Sequence, residues 1–340
     1  MQKIHKISLF IVCLMLMLTS SLIFVGCGKK DDNEIRLNEV THSIFYAPLY
    51  VALNQGYFKD EGLKVTLESA TGSDASMTAL ISDSADIVLI GPEQVVYSDS
   101  IKDRPVIFGQ LTQKDGSFIV GQEDDDDFTL DDLRGKTIIG CRQGGFPAMT
   151  LEYIIKQAGL TIGTNKSAGE VNLRTDVSFP MIASEFITSG NEYCTLFEPN
   201  ATTLEKAGNG YVLKSVGELS GYIPYTCFVA KTSYLKNHGD KAEKFLKAVK
   251  KGYEYIKAEP ANAAGALAKS FSGMTNEELK IAVNQYIAID AWCSDLILTQ
   301  DAFNNMLNVL NSASATPYSP IYENIVNNTF AQNIKQASIA

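Results

Sequence analysis

The chain has 340 residues, is 45% hydrophobic and carries a formal net charge of −10 at pH 7. This apolar content excludes an intrinsically disordered chain, and the length predicts two lobes rather than one compact domain. The net negative charge argues against binding of nucleic acid or of anionic lipid through the body of the protein.

The first residues have the pattern of an export signal. Lys3 and Lys6 precede the almost entirely apolar stretch 7–25, and Gly26 and Cys27 follow it. We therefore predict a signal peptide over residues 1–26. Its removal would change the formal charge from −10 to −12, because two lysines and no acidic residue are lost.

The small residue directly before Cys27 resembles the lipobox of bacterial lipoproteins, in which cleavage precedes the cysteine and the cysteine then carries the lipid. The usual box has Leu three residues before the cysteine, whereas Phe24 stands there in this chain. The resemblance implies lipidation of Cys27, a short tether over residues 27–33 and a location on the extracytoplasmic face of the cell membrane. Simple secretion and a retained transmembrane anchor are the alternatives.

Four cysteines follow the predicted tether, at positions 141, 194, 227 and 293, and no two of them are close in sequence. Only His42 and His238 remain as imidazoles after the signal peptide, so a structural zinc site is poorly supported. We expect the cysteines to be small buried residues, although a disulfide is possible in an oxidising compartment.

A β-α-β unit opens the first lobe. Residues 35–40 alternate as a strand does, apolar residues recur at helical spacing after Pro48, and residues 63–67 alternate again. Small ligands bind beyond the carboxyl ends of parallel strands, which is where Phe45 and Tyr46 fall. The alternative is that both aromatic side chains pack under the first helix.

Two further helix starts face the same end of the predicted sheet. After a turn at Gly72, Ser73 or Asp74 can cap a helix over residues 77–81. The apolar run 84–90 predicts a strand, and Gly91, Pro92 and Glu93 follow it as the start of a helix. Glu93 either stabilises that helix end or contacts a ligand.

The second lobe is predicted to begin at residue 114, between candidate strands at 106–111 and 117–121. The acidic run 123–127 lacks the ligand spacing of an EF-hand, so we interpret it as a solvated loop. The predicted strand 137–141 leads to Arg142 and Gly145, where backbone amides can approach a ligand. Arg142 either clamps a carboxylate or pairs with a surface acid.

The second half of the chain turns from strands to helices. A helix is predicted up to residue 187, the strand 193–197 ends at Glu198 and Pro199, and two more strands are expected at 211–216 and 225–230. Five helices are predicted after Thr232, packed on the first lobe, over residues 240–257, 260–271, 275–287, 301–310 and 321–334.

These features occur in an order that resembles the substrate-binding proteins of ABC importers, in the group that handles nitrate, sulfonates, taurine, thiamine-pyrimidine precursors and riboflavin. The aromatic loop with Ala47 and Pro48, the Gly72-Ser73 turn, Gly91-Pro92-Glu93, the Gly-rich turn after residue 141 and Phe197-Glu198-Pro199 carry the resemblance. It extends over about residues 35–231.

The resemblance implies an α/β, two-lobed periplasmic-binding-protein-like fold of type II, with mixed sheets flanked by helices and a helical C-terminal segment on the first lobe. The first lobe would comprise residues 34–113 and 233–340, and the second 114–232. The implied partners are one small molecule, a membrane permease and its ATPase. The chain would be a monomer without catalytic residues, cofactor or metal.

Nine residues are expected to approach the ligand: Phe45, Tyr46, Gly72, Ser73, Glu93, Arg142, Gly145, Glu198 and Tyr225. This set has aromatic faces, two carboxylates and one cation, which favours a planar nitrogen heterocycle such as a thiamine-pyrimidine precursor or a flavin. A sulfonate, taurine or nitrate is the alternative ligand.

Two other functions remain open at this point. The same fold could serve as a ligand receptor for a sensor kinase. Fungal members of the group are enzymes that make the thiamine pyrimidine with iron. They carry a dense run of cysteines, whereas the cysteines of this chain are scattered.

Overall fold

Two five-stranded mixed sheets, each flanked by helices, make up the structure, a computed structural model that describes residues 33–337. The signal peptide, Cys27 and most of the tether predicted above lie outside the described residues. The ten strands are β1 (Glu34–Glu39), β2 (Lys64–Ser69), β3 (Ile87–Ile90), β4 (Pro105–Thr112), β5 (Ser117–Gly121), β6 (Thr137–Ile139), β7 (Asn172–Arg174), β8 (Tyr193–Phe197), β9 (Tyr211–Ser215) and β10 (Thr226–Lys231).

Fifteen α-helices occur among residues 33–337. Eight precede the C-terminal helices: α1 (Ala47–Asn54), α2 (Tyr57–Asp60), α3 (Ser73–Ile81), α4 (Glu93–Tyr97), α5 (Phe146–Gln157), α6 (Ile182–Ser189), α7 (Asn200–Lys206) and α8 (Val216–Ser220). Seven follow: α9 (Thr232–Asn237), α10 (Gly239–Ala258), α11 (Pro260–Leu267), α12 (Asn276–Ala288), α13 (Gln300–Ser312), α14 (Tyr322–Ile325) and α15 (Thr329–Ala337). None of these helices is long and apolar enough to cross a membrane.

The first sheet has the strand order β2-β1-β3-β10-β4. Strands β1 and β3 are parallel, with Leu37 opposite Ile87, and β10 is antiparallel to both β3 and β4. All four residues of β3 are buried, as expected for a strand covered on both faces, which is why its sequence is a continuous apolar run.

The second sheet has the order β7-β6-β8-β5-β9. Strand β6 is parallel to both neighbours, whereas β5 is antiparallel to β8 and β9. The two mixed sheets with flanking helices confirm the fold class that the sequence predicted.

Strand β10 occupies a different sheet from the one its place in the sequence suggested. Residues 225–230 were assigned to the end of the second lobe, but β10 pairs with β3 and β4 of the first sheet. The chain therefore crosses between the sheets twice, at residues 113–116 and 221–225. The crossings are hydrogen-bonded to each other, since the amides of Ile223 and Tyr225 donate to the carbonyls of Gln113 and Thr112 over 2.9 and 3.1 Å.

The C-terminal helices contact both halves of the molecule rather than the first sheet alone. Helix α10 packs on α1, and α15 packs on β4. Helix α13 instead contacts α5 of the second half, where the Lys156 ammonium donates to the Ser312 carbonyl over 3.0 Å.

Two local predictions were wrong. The expected helix 321–334 is interrupted at Val326, which is extended and forms a bridge with Ile107, so that α14 and α15 are separate. Neither Ser73 nor Asp74 caps α3 from outside, because Gly72 is the cap residue and the helix begins at Ser73. The capping box of Thr275 and Glu278 is confirmed, as is the burial of the four cysteines in this part of the chain, all of them free.

Candidate functional site

A cavity of about 490 Å³ lies between the two sheets, at the ends of strands from both of them. Its first side is formed by the loops after β1, β2 and β3. Its second side is formed by the segments that follow β6, β7 and β8, and Tyr225 of the second crossing closes it. The position is the one that parallel strands predict for a ligand, beyond their carboxyl ends.

The structure brings eight of the nine predicted site residues together around this cavity. They are Phe45, Tyr46, Gly72, Ser73, Glu93, Arg142, Gly145 and Tyr225.

Glu198 is the residue that the structure does not bring to the cavity. Its side chain is 1% exposed, and one carboxylate oxygen accepts from the Thr202 hydroxyl over 2.9 Å while the other accepts from the Thr202 amide over 3.1 Å. Both oxygens therefore stabilise the first turn of α7, and the expected ligand contact is corrected to a structural role.

Phe45 lies at the centre of an aromatic cluster. Its ring centroid is 5.0 Å from that of Tyr286 and 5.7 Å from those of Tyr46, Phe197 and Tyr225. Such clusters are rigid and apolar, and their faces accept planar rings. The Phe45 ring is therefore packed in the interior, at 1% exposed, and also lines the cavity.

The aromatic loop is anchored on both sides. The Trp292 indole nitrogen donates to the Phe45 carbonyl over 2.8 Å, and the Ser43 hydroxyl accepts from the Phe45 amide over 3.2 Å. Behind the loop, the Tyr50 hydroxyl donates to the buried Glu39 carboxylate over 2.5 Å. These bonds fix the backbone that presents Phe45 and Tyr46 to the cavity.

Glu93 is the most unusual charged group of the lining. It is 1% exposed, and its Oε2 atom has no hydrogen-bond partner among the described residues. Its Oε1 atom accepts a long bond, 3.4 Å, from the Gln94 side chain. Burial raises the pKa of Glu93 to about 7, because the charged form is removed from water without a cation beside it.

The turn at Gly72 and Ser73 connects the loops of the first side. The Ser73 hydroxyl accepts from the Gly91 amide over 3.3 Å, which links the loop after β2 to the loop after β3. A Cβ atom at Gly72 would lie 2.7 Å from Asp74 Oδ1 and 3.3 Å from Arg142 Nη2. Those two side-chain ends are exposed and can move, but Gly72 has a φ of +157°, a backbone conformation that favours glycine.

Arg142 and Asp74 meet at the mouth of the cavity. Arg142 Nη2 lies 3.1 Å from Asp74 Oδ1, and each side chain is 62% exposed. Of the two roles considered for Arg142, the pairing with a surface acid is the one present. Gly145 is the cap residue of α5 and forms the turn behind Arg142, where its amide donates to the Arg142 carbonyl over 3.2 Å.

Tyr225 and Asp115 form a second buried polar pair. Tyr225 is 4% exposed and lines the cavity, whereas Asp115 is fully buried beside it. Asp115 Oδ1 accepts from the Ser117 amide over 2.7 Å and from the Ser117 hydroxyl over 2.6 Å. Burial raises the pKa of Asp115 to about 6, and burial together with the charge of Asp115 raises the pKa of Tyr225 well above its usual value.

Several lining residues were missed from the sequence. Phe146 follows the Gly-rich turn after the predicted strand 137–141, and Phe197 is the last residue of the predicted strand 193–197, so both stood next to recognised features. Phe179, whose ring lies 5.5 Å from that of Phe197, follows β7, a strand that was not predicted. The available signal for Asp115 was weaker: an Asp-x-Ser spacing at the predicted crossing between the lobes.

Residues 33–337 contain no group of three or more His, Cys, Asp and Glu side chains that could hold a metal ion.

Comparison with known proteins identifies relatives of this chain. The model of the NMT1/THI5-like family matches residues 44–263. YtlA of Bacillus subtilis strain 168, which is named as a candidate binding protein, is 36% identical over 313 residues, with 91% of this chain and 92% of YtlA covered. A 4-amino-5-hydroxymethyl-2-methylpyrimidine phosphate synthase of Aspergillus parasiticus is 28% identical over 240 residues, with 64% of this chain and 65% of the synthase covered.

A solved structure has the same fold. The ligand-binding component of an ABC-type import system from Staphylococcus aureus, determined with zinc bound, superposes with a TM-score of 0.71 at 15% identity and covers 89% of this chain and 99% of its own. At this identity the likeness shows the fold alone. The family match and the Bacillus relative go further, and on them the chain belongs to the NMT1/THI5-like family.

Proposed function

We propose that this protein is an extracytoplasmic solute-binding protein that delivers a planar nitrogen heterocycle, a thiamine-pyrimidine precursor or a riboflavin-like molecule, to an ABC importer. The observation that carries the proposal is Glu93, a buried carboxylate with an unpartnered oxygen on the wall of an aromatic cavity. A buried polar atom without a partner is costly, so the site favours a ligand that supplies the missing hydrogen-bond donor.

The shape and lining of the cavity support a flat ring. A volume of about 490 Å³ is within the range of small-molecule sites, and it accommodates a pyrimidine or a larger fused ring. Phe45, Tyr46, Phe146 and Phe197 offer ring faces for stacking, while Glu93 offers an acceptor for an amino or ring N–H group.

The charges of the lining argue against an anion. Among residues 33–337, Arg142 is the one basic residue that lines the cavity, and Asp74 already pairs with it. A nitrate or sulfonate would therefore meet an unneutralised buried carboxylate, Glu93, with no unpaired cation among the lining residues. A sulfonate or nitrate is accordingly the alternative ligand, which a thermal-shift screen with these anions tests.

The relatives support the proposal in part. The name of the Aspergillus relative contains a pyrimidine, and the Staphylococcus structure is named as part of an import system. We propose transport rather than synthesis for this chain. Stoichiometric iron in the purified protein would instead favour an enzyme.

The cellular arrangement follows from the same proposal. We propose that the chain is cleaved before Cys27, anchored by lipid at that residue and docked as a monomer on a membrane permease driven by a separate ATPase. We also propose that residues 34–113 and 233–340, together with β10, which pairs with the first sheet, move against the rest of residues 114–232. Mass spectrometry of the exported protein would detect the lipid on the N-terminal cysteine.

The experiment that tests the proposed ligand compares two equally buried glutamates. The heterocycle probes are 4-amino-5-hydroxymethyl-2-methylpyrimidine and riboflavin, titrated by calorimetry into the wild type, Glu93→Gln and Glu198→Gln. We expect Glu93→Gln to weaken binding by about 1.5–3 kcal/mol, the usual contribution of a hydrogen bond to a charged group. Glu198→Gln is the matched control, because Glu198 is as buried as Glu93 but does not line the cavity. An equal effect of both variants would refute the assignment.

A further inference from the structure

A buried tyrosine hydroxyl and a buried carboxylate oxygen interact next to the cavity. The Tyr225 hydroxyl and Asp115 Oδ2 make no hydrogen bond of ordinary geometry in the described part of the chain. Asp115 nevertheless acts on the Tyr225 hydroxyl through its charge and a side-chain hydrogen bond. Tyr225 lines the cavity, whereas Asp115 is fully buried and does not.

The pair sits on the two segments that connect the sheets. Asp115 belongs to the first crossing and is held by Ser117 at the start of β5. Tyr225 belongs to the second crossing, and its amide donates to the Thr112 carbonyl over 3.1 Å. Hydrogen bonds of the backbone and of Ser117 therefore hold both residues in place, and these bonds use neither the Tyr225 hydroxyl nor Asp115 Oδ2.

The chemistry of the pair determines what it can bind. The Tyr225 hydroxyl keeps its proton at neutral pH, because burial and the neighbouring negative charge both oppose its loss. The negative charge of Asp115 attracts the proton of the Tyr225 hydroxyl. The lone pairs of the Tyr225 oxygen can then accept a hydrogen bond from a ligand in the cavity, and the charge of Asp115 strengthens this acceptor.

We propose that Tyr225, oriented by Asp115, is a second recognition point that works with Glu93 to select a ligand with two hydrogen-bond donors, an amino or ring N–H and a hydroxyl. This inference rests on the proposed function, since it names the hydrogen-bonding pattern of the ligand in the same cavity. Tyr225 contacts the ligand, and Asp115 is a positioning residue that acts through Tyr225.

Two probes that differ by one hydroxyl group test the pattern: 4-amino-5-hydroxymethyl-2-methylpyrimidine and 4-amino-2,5-dimethylpyrimidine. The wild type is expected to bind the hydroxymethyl probe about tenfold more tightly, in line with one additional hydrogen bond in a buried site. Tyr225→Phe should remove this preference, and Asp115→Asn should reduce it. The double variant should be no worse than Tyr225→Phe alone, because Asp115 acts through the tyrosine hydroxyl.

Tyr234→Phe is the matched control, because the Tyr234 hydroxyl is also buried, without a hydrogen-bond partner among residues 33–337, but does not line the cavity. It should leave the preference unchanged. A preference for the hydroxymethyl probe that survives in Tyr225→Phe, or one that Tyr234→Phe also removes, would overturn the proposal.

A measurement without ligand separates this inference from the proposed function. If no heterocycle binds to the wild type, the proposed function fails, and the melting temperature of the free protein then decides the inference. We expect Tyr225→Phe and Asp115→Asn each to lower the melting temperature, and the double variant to melt no lower than the less stable single variant, because all three lose the same contact between the two groups. Additive losses would show that Asp115 does not act on the Tyr225 hydroxyl, and they would overturn the inference.

Discussion

Arg142 and Asp74 form an ion pair across the mouth of the cavity, with 3.1 Å between Arg142 Nη2 and Asp74 Oδ1. Asp74 is in the first turn of α3, on the side of the first sheet, and Arg142 follows β6 of the second sheet. The pair thus connects the two walls between which the ligand is proposed to bind.

The ion pair should contribute little to stability. Both side chains are 62% exposed, and exposed ion pairs contribute at most about 1 kcal/mol. We expect a double-mutant cycle with Asp74→Asn and Arg142→Gln to give a coupling energy below about 1 kcal/mol that decreases with added salt. Chemical denaturation at low and high salt measures it. A coupling that does not change with salt would contradict the exposed geometry.

Glu93 should make the stability of the free protein depend on pH. Its pKa in the folded state, about 7, is above its ordinary value of 4.5. The folded state therefore binds this proton more tightly, and the resulting stabilisation is complete below about pH 4.5 and is lost as the pH rises through about 7. Asp115 acts in the same direction through its own raised pKa, with a loss around pH 6.

The variant Glu93→Gln isolates this contribution, because Asp115 is the same in both proteins. Between pH 5 and pH 8 the wild type should lose more unfolding free energy than the variant, by an amount on the order of 2 kcal/mol. Urea denaturation at the two pH values measures the difference. Equal losses in both proteins would show that Glu93 titrates normally.

Glu198 should matter for folding and not directly for affinity. In Glu198→Ala, the Thr202 amide and hydroxyl lose their acceptors at the start of α7. We expect a loss of about 1–3 kcal/mol of unfolding free energy, the cost of leaving buried donors unpaired. Thr202→Val is the companion variant, and the two losses should not add, because both remove the same bonds. A loss of affinity without a loss of stability would return Glu198 to the ligand site.

Trp292 should support the aromatic loop from the C-terminal segment. Its indole nitrogen donates to the Phe45 carbonyl over 2.8 Å in a buried position. Trp292→Phe should lower the unfolding free energy by about 1–3 kcal/mol and weaken ligand binding, since the carbonyl of Phe45 loses its partner. Circular dichroism during denaturation measures the first effect, and calorimetry the second. Unchanged affinity would show that the loop holds its position without this bond.

The sequence predicted the strands well, because most of them are short apolar or alternating runs that end at Gly, Pro or a charged residue. Ile87–Ile90 and Ser117–Gly121 are clear cases. The pairing partner of β10 could not be predicted, since β10 has the same local pattern in either sheet. The interruption at Val326 was equally hidden, because it depends on a bridge to Ile107, more than two hundred residues earlier.

The candidate site was predictable to the extent that it follows from strand ends. Glu93 and Glu198 stand in the same local pattern, a strand followed by an acid and a proline at a helix start, and sequence alone could not tell them apart. Thr202 makes the difference, since it takes both oxygens of Glu198, whereas Glu93 Oε2 has no such partner in the described structure. Side-chain direction, and not residue type, decides which acid meets the cavity.

The most direct test of the proposed function is a thermal-shift screen of the protein without residues 1–27, against pyrimidines, flavins, taurine, alkanesulfonates and nitrate. A ligand at a hundred times its dissociation constant stabilises the folded state by about 2.7 kcal/mol, which corresponds to a shift of several degrees. We predict such a shift with a nitrogen heterocycle and none with nitrate or taurine. A shift with a sulfonate or nitrate alone would contradict the assignment, and it would mean that Arg142 and the backbone amides outweigh Glu93.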